Sequence, residues 1–155
     1  MKTLIMLSAI PASGKTTWAR EYRNTHPNTY IVSSDEIRME ITHGKFNDQS
    51  QQKLVWETFD QRIHEYAKNE NATIILDALN DVNWVRLQYL KTTPEFDKKI
   101  IVLFPLNYEK SLMYNAQRDI DKQVPKEAME ALYQKFEPLS QEVVDLVDEI
   151  IEVKW

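Results

Sequence analysis

The segment Ser8-Ala9-Ile10-Pro11-Ala12-Ser13-Gly14-Lys15-Thr16-Thr17 joins an apolar run, Thr3 to Ser8, to an amphipathic stretch, and it constrains this chain more than any other. Gly14-Lys15-Thr16 at a strand-to-helix junction completes the end of the pattern Gly, four residues, Gly-Lys-Ser/Thr. In that setting successive backbone N–H groups and a helix N-terminus form a cradle for phosphate oxygens. Pro11, Ala12, Ser13, Gly14, Lys15, Thr16 and Thr17 are therefore read as nucleotide-binding positions. Lys15 reaches the outer phosphates of a nucleoside triphosphate, and the Thr16 hydroxyl is a ligand for Mg²⁺.

Ala9 stands at the first glycine position of the pattern, and Ala12 where a further glycine is common. A Cβ is disfavoured only at positive φ, so the loop is feasible if both residues lie in ordinary backbone regions. The chain holds two glycines, Gly14 and Gly44. Keeping one directly before Lys15 implies that the backbone there needs its freedom.

With 155 residues the chain has the length of one domain, 1–155, enough for a sheet of several strands with flanking helices. The apolar runs near Leu4 to Leu7 and Ile100 to Leu106 are far too short to span a bilayer. Met1-Lys2-Thr3 leads straight into a strand with no secretory pattern, and there are no cysteines, so a cytoplasmic setting is expected. A net charge of −5 argues against a broad nucleic-acid-binding face but leaves room for a small cationic pocket. Neither a membrane nor an obligate protein partner is called for.

Strands and helices alternate along the chain. Thr3 to Ser8 lacks polar alternation, which suits a central parallel strand covered on both faces. A helix from Lys15 to about Arg23 turns Trp18, Ala19 and Tyr22 to one side. Thr29 to Ser33 is a second strand, followed at once by Ser34-Asp35-Glu36-Ile37-Arg38. In open parallel sheets ligands bind beyond the carboxyl ends of the strands, so Asp35 falls where a catalytic group belongs. On a helix Asp35 and Arg38 share one face. The same residues also suit helix capping, with Ser33 and Glu36 as a capping box and Asp35 at the positive helix end.

Gln49 to about Lys68 is the longest helix, its stripe of Leu54, Val55, Thr58, Phe59, Ile63, Tyr66 and Ala67 read as packing. His26, His43 and His64 stand at no metal-ligand spacing, and no metal is assigned to histidine. Ala72 to Leu76 is a third strand ending in Asp77, a second metal-site candidate in the manner of strand-end aspartates beside a phosphate loop. A helix from Asp81 to about Leu90 leaves Arg86 facing either Asp77 or solvent. Lys99 to Phe104 is the fourth strand. Asn107 caps a helix to Ala116 that turns Leu112, Met113 and Ala116 inward.

Residues 115–124 are polar and without an apolar stripe, which makes them a candidate short lid. Arg118 in this segment can place positive charge on a transferring phosphoryl group, or pair with Asp121 at little energetic value. A helix follows Pro125 with Ala128, Met129, Leu132, Tyr133 and Phe136 inward, then a short helix capped by Ser140, and a fifth strand from Glu149 to Val153.

Taken together, Pro11 to Glu21, Ser34-Asp35 with Arg38, the strand ending at Asp77, and Arg118 upstream of Val124-Pro125 and Tyr133 resemble the kinase domain of phage-type polynucleotide 5′-hydroxyl kinases. These belong to the wider group of P-loop kinases. The resemblance implies an α/β fold of three layers, a five-stranded parallel sheet between helices. It implies ATP and Mg²⁺ at Lys15 and Thr16, and Asp35 as acceptor of the proton of the attacking hydroxyl. Arg38 would hold an acceptor phosphate and Arg118 the donor phosphates. Arg118 lies slightly further from Pro125 than in the best-known relative, so Lys122 is a second candidate for the lid cation. No phosphatase domain is expected.

The reaction expected is in-line transfer of the ATP γ-phosphoryl group to a hydroxyl, with a 5′-hydroxyl nucleic-acid end or a phosphorylated small acceptor as partner. Two alternatives remain at this level. One is a P-loop kinase of a sugar, nucleoside or activated sugar, which the acidic charge favours. The other is a non-catalytic ATP-binding switch, which would have no use for an acceptor-side pair such as Asp35 and Arg38.

Overall fold

A computed structural model describes all 155 residues. The run Thr3–Ser8 forms β1, and from Leu4 onward every residue of it is buried, as a strand sandwiched between helical layers must be. β2 (Thr29–Ser33), β3 (Thr73–Asp77), β4 (Lys98–Leu103) and β5 (Glu149–Glu152) complete a sheet in the order β2-β3-β1-β4-β5. All pairings are parallel, with Ile5 opposite Ile75 on one side and Ile100 on the other. The expected five-stranded parallel sheet is the one observed.

Parallel neighbours require crossovers, and seven helices supply them: α1 (Lys15–Thr25), α2 (Ser34–Ile41), α3 (Gln52–Tyr66), α4 (Asn83–Lys91), α5 (Tyr108–Ala116), α6 (Lys126–Lys135) and α7 (Gln141–Leu146). The larger core gathers Leu4, Met6, Ile74, Leu76 and Ile101 from the sheet with Val55, Phe59 and Ile63 of α3, Leu90 of α4 and Val143 of α7. The smaller core, on the opposite face, joins Ile5, Leu7, Val102 and Phe104 to Ala19 of α1. Trp18 packs against this second core, stacked on Tyr22 at 5.3 Å and set edge-on to Phe104 at 6.5 Å. No helix is long and apolar enough to cross a membrane.

Three expectations are corrected. The α3 stripe begins at Val55, while Leu54 lies 46% exposed. On α5 the buried positions are Ser111 and Asn115, and Met113 is half exposed. These two polar residues face inward because each carries a tie: Ser111 Oγ lies 3.3 Å from Ser13 Oγ, and the Asn115 amide bonds both the N–H and the carbonyl of Val124. Arg86 faces neither Asp77 nor solvent. It is completely buried, donating to the Asn80 carbonyl at 2.8 Å, the Ser8 hydroxyl at 3.0 Å and Asn83 Oδ1 at 2.8 Å, with its guanidinium 5.3 Å from the Phe136 ring centre.

That guanidinium fastens the end of β1 to the loop after β3. The Ser8 hydroxyl donates to the Asn80 carbonyl, the Asn80 amide donates to the Leu7 carbonyl, and the Ala9 N–H donates to the Leu79 carbonyl. Arg86→Ala strands several buried acceptors and opens a cavity, a loss of about 3–5 kcal/mol. A fall in Tm on the order of 10 °C should follow in a thermal melt.

Candidate active site

The loop between β1 and α1 turns at the C-terminal end of the central strand. Gly14 sits at φ 90° as the N-cap residue of α1. A Cβ there would touch nothing within 4 Å, so conformation rather than room demands glycine. Ala12 is the unexpected position: its φ is 59°, in the left-handed region, so the proviso of ordinary backbone angles fails at this residue. Left-handed geometry costs an alanine about 1–2 kcal/mol, and the loop holds it with bonds nearby. Ser13 Oγ donates to the Ile10 carbonyl at 2.8 Å and meets Ser111 of α5. Ala9 is 1% exposed beneath the Leu79 carbonyl, where a small side chain fits the second core.

Lys15 is the first residue of α1 and 9% exposed. Thr16 Oγ1 donates to Asp77 Oδ2 at 2.9 Å, so the two candidate metal ligands are brought together. Asp77 is buried at the end of β3. Burial pushes its carboxyl above the usual carboxylate range, while Lys15 and the Thr16 bond pull it down and Asp35 adds to the rise. A cation beside Asp77 would offset the burial penalty, and two hard oxygen donors suit an ion that keeps waters and substrate oxygens in its shell.

The Asp35–Arg38 pair forms on the first turns of α2. Ser33 caps this helix, its Oγ accepting the Glu36 N–H at 3.3 Å. Arg38 Nη1 lies 2.9 Å from Asp35 Oδ1, with Arg38 8% and Asp35 50% exposed at the side chain. The capping and pairing roles coexist, because they use different atoms of one turn. Arg38 also donates through Nε at 3.4 Å and Nη2 at 3.1 Å to Gln52 Oε1 at the start of α3. Gln52 was not foreseen: it lies 14 residues from Arg38 in sequence, and no local pattern connects them.

Lys15, Asp35, Arg38 and Arg118 line one cleft of about 900 Å³ together with Pro11. Arg118 makes no ion pair, with Asp121 or any other carboxylate. Its segment is pinned by Gln123, whose amide donates to the Arg118 carbonyl at 2.9 Å, and by Asn47, whose amide donates to the Gln123 carbonyl at 3.0 Å. Lys122 is exposed on a 3₁₀ turn and does not line the cleft.

Residues 4–139 match the family described as AAA domain. The chain belongs to that family. Among solved structures the fold is similar to a chain of the Pnkp1/Rnl/Hen1 RNA repair complex, with TM-score 0.76 and 23% identity over 95% of this chain and 46% of that one. It is also similar to a fungal RNA kinase, with TM-score 0.68 and 19% identity over 99% of this chain and 75% of the other. A third neighbour is Chaetomium thermophilum Kti12 in complex with ADP-AlF3, with TM-score 0.67 and 18% identity over 98% and 89%. This chain thus spans about half the length of the chain in the repair complex. The AAA-domain chain has the fold of these P-loop kinase structures.

Proposed function

We propose that this chain transfers the γ-phosphoryl group of ATP to the 5′-hydroxyl of a polynucleotide or of a nucleoside 3′-phosphate. The observation that carries the reading is the Asp35–Arg38 pair opening onto the same cleft as Lys15. A phosphate loop alone needs no such pair, and a phosphoryl acceptor does. Likeness in fold to an RNA kinase and to a component of an RNA repair complex supports nucleic acid as the acceptor class.

In the reaction the acceptor oxygen forms a bond to the γ-phosphorus, the bond to the β,γ-bridging oxygen breaks, and ADP leaves. The hydroxyl proton passes to the Asp35 carboxylate, which also orients the attacking oxygen. Arg38, held by Asp35 and Gln52, presents its edge to an acceptor phosphate. Lys15 and Arg118 stabilise the negative charge of the transferring group. Pro11 to Thr17 enclose the donor phosphates, and residues 115–124 act as a lid within one domain spanning 1–155. Thr16 and Asp77 are the residues that would hold Mg²⁺, which when bound screens the phosphate charges.

The test is transfer of label from γ-labelled ATP to three acceptors: a 5′-hydroxyl oligonucleotide, a nucleoside 3′-phosphate and a panel of phosphorylated and free metabolites. Label on the first two is expected. Label on a metabolite alone would replace the nucleic-acid reading with that of a small-molecule kinase, and label on none would make the chain an ATP-binding switch.

A further inference from the structure

The chain has four tryptophans. Three pack against another ring: Trp18 on Tyr22 at 5.3 Å, Trp56 on Phe59 at 5.2 Å and Trp155 on Tyr114 at 5.7 Å. Trp84, on the first turn of α4, meets no aromatic side chain and is 69% exposed. A scattered surface tryptophan would mean little, but this one lines the cleft that contains Asp35 and Arg38. Phe46, Trp56, Val85 and Leu132 share the cleft wall with it.

The cleft carries charges of both signs, with Lys15, Arg38, Arg118 and Lys135 beside Asp35, Asp60 and Asp81. Asp60 and Asp81 both line the cleft, and each has one buried carboxyl oxygen without a hydrogen-bond partner. Asp81 is 7% exposed. The apolar side chains around Trp84 suit the face of a flat ring. A net charge of −5 argues against a broad face for the polynucleotide backbone, so a grip on the terminal base would add affinity where few backbone contacts are made.

We propose that the Trp84 ring is the stacking platform for the nucleobase of the nucleotide that carries the accepting hydroxyl. The proposal rests on the kinase reading above and narrows it to acceptors with a base. Stacking on one aromatic side chain tolerates every base, because each offers a π face. Trp84 therefore selects for the presence of a base rather than for its identity.

Two measurements test this and separate it from the kinase reading. In the first, a 5′-hydroxyl oligonucleotide is compared with one whose terminal nucleotide is abasic. The unaltered protein should show an acceptor KM about tenfold lower for the base-bearing end. Trp84→Ala should erase that difference, Trp84→Phe should keep most of it, and the change should fall on acceptor KM rather than on the KM for ATP. Equal discrimination in Trp84→Ala, or none in the unaltered protein, overturns the platform while leaving phosphotransfer intact. In the second, tryptophan emission is followed as a nucleoside 3′-monophosphate is added to protein saturated with a non-hydrolysable ATP analogue. Saturable quenching that disappears in Trp84→Phe supports the platform even if no label is transferred, in which case the kinase reading alone falls. Quenching that is absent, or that keeps its full amplitude in Trp84→Phe, overturns the platform.

Discussion

Lys15→Ala should lower turnover by about 10²–10⁴-fold with the fold retained, as judged by circular dichroism and a thermal melt. Lys15 opens α1 directly after Gly14, so its ammonium is fixed where the cradle of N–H groups ends. Alanine removes the one positive charge held by the loop itself, and no neighbouring cation on α1 replaces it, since Arg20 leans toward Glu36 at 3.6 Å. A second consequence follows from Asp77, whose carboxyl is already raised by burial and lowered by Lys15. Without Lys15 the Asp77 proton is held to higher pH. The ionised form is needed for a cation, and it is lost as pH falls through the folded-state pKa. The acidic limb of the residual rate should therefore move to higher pH in Lys15→Ala. A limb that stayed in place would mean that Lys15 and Asp77 do not act on one another during turnover.

How much of this was legible in the sequence depended on whether a feature was local. β1 and the loop after it could be read because burial on both faces removes polar alternation, and because Gly14 and Lys15 have few substitutes at a strand-to-helix turn. Asp35 and Arg38 lie three residues apart on one helix, so their pairing at 2.9 Å followed from helical spacing. The ties that hold the cleft together were not readable. Gln52 reaches Arg38 from the next helix, Arg86 bonds Ser8 across 78 residues, and Asn115 clasps Val124 with an amide that looks like helix surface. Met113 and Ala116 were expected inside because they are apolar, yet tertiary hydrogen bonds turned Ser111 and Asn115 inward instead. Ala12 shows the opposite failure, a local rule broken at the phosphate loop, where neighbouring bonds hold a backbone angle that alanine does not prefer.

Asp35→Asn should reduce kcat by about 10²–10⁴-fold while leaving the affinity for ATP close to that of the unaltered protein. The substitution is nearly isosteric, and the asparagine oxygen can still accept from Arg38 Nη1, so the clasp of Arg38 between residue 35 and Gln52 survives. In the proposed reaction, what disappears is the capacity to take a proton from the acceptor hydroxyl and the negative charge that orients it. Asp35 lies on α2, outside the donor loop, and its side chain is 50% exposed, so the change disturbs neither the cradle nor the core. Asp35→Ala is the informative companion. It removes the partner of a nearly buried guanidinium, and Arg38 should then swing from its place and raise the acceptor KM as well as lowering kcat. If Asp35→Asn kept a rate near that of the unaltered protein on the best acceptor, Asp35 would serve only to hold Arg38, and the proton would have to leave by another route. The comparison of the two variants in one kinetic series thus separates a group that receives the proton from one that merely positions the arginine beside it.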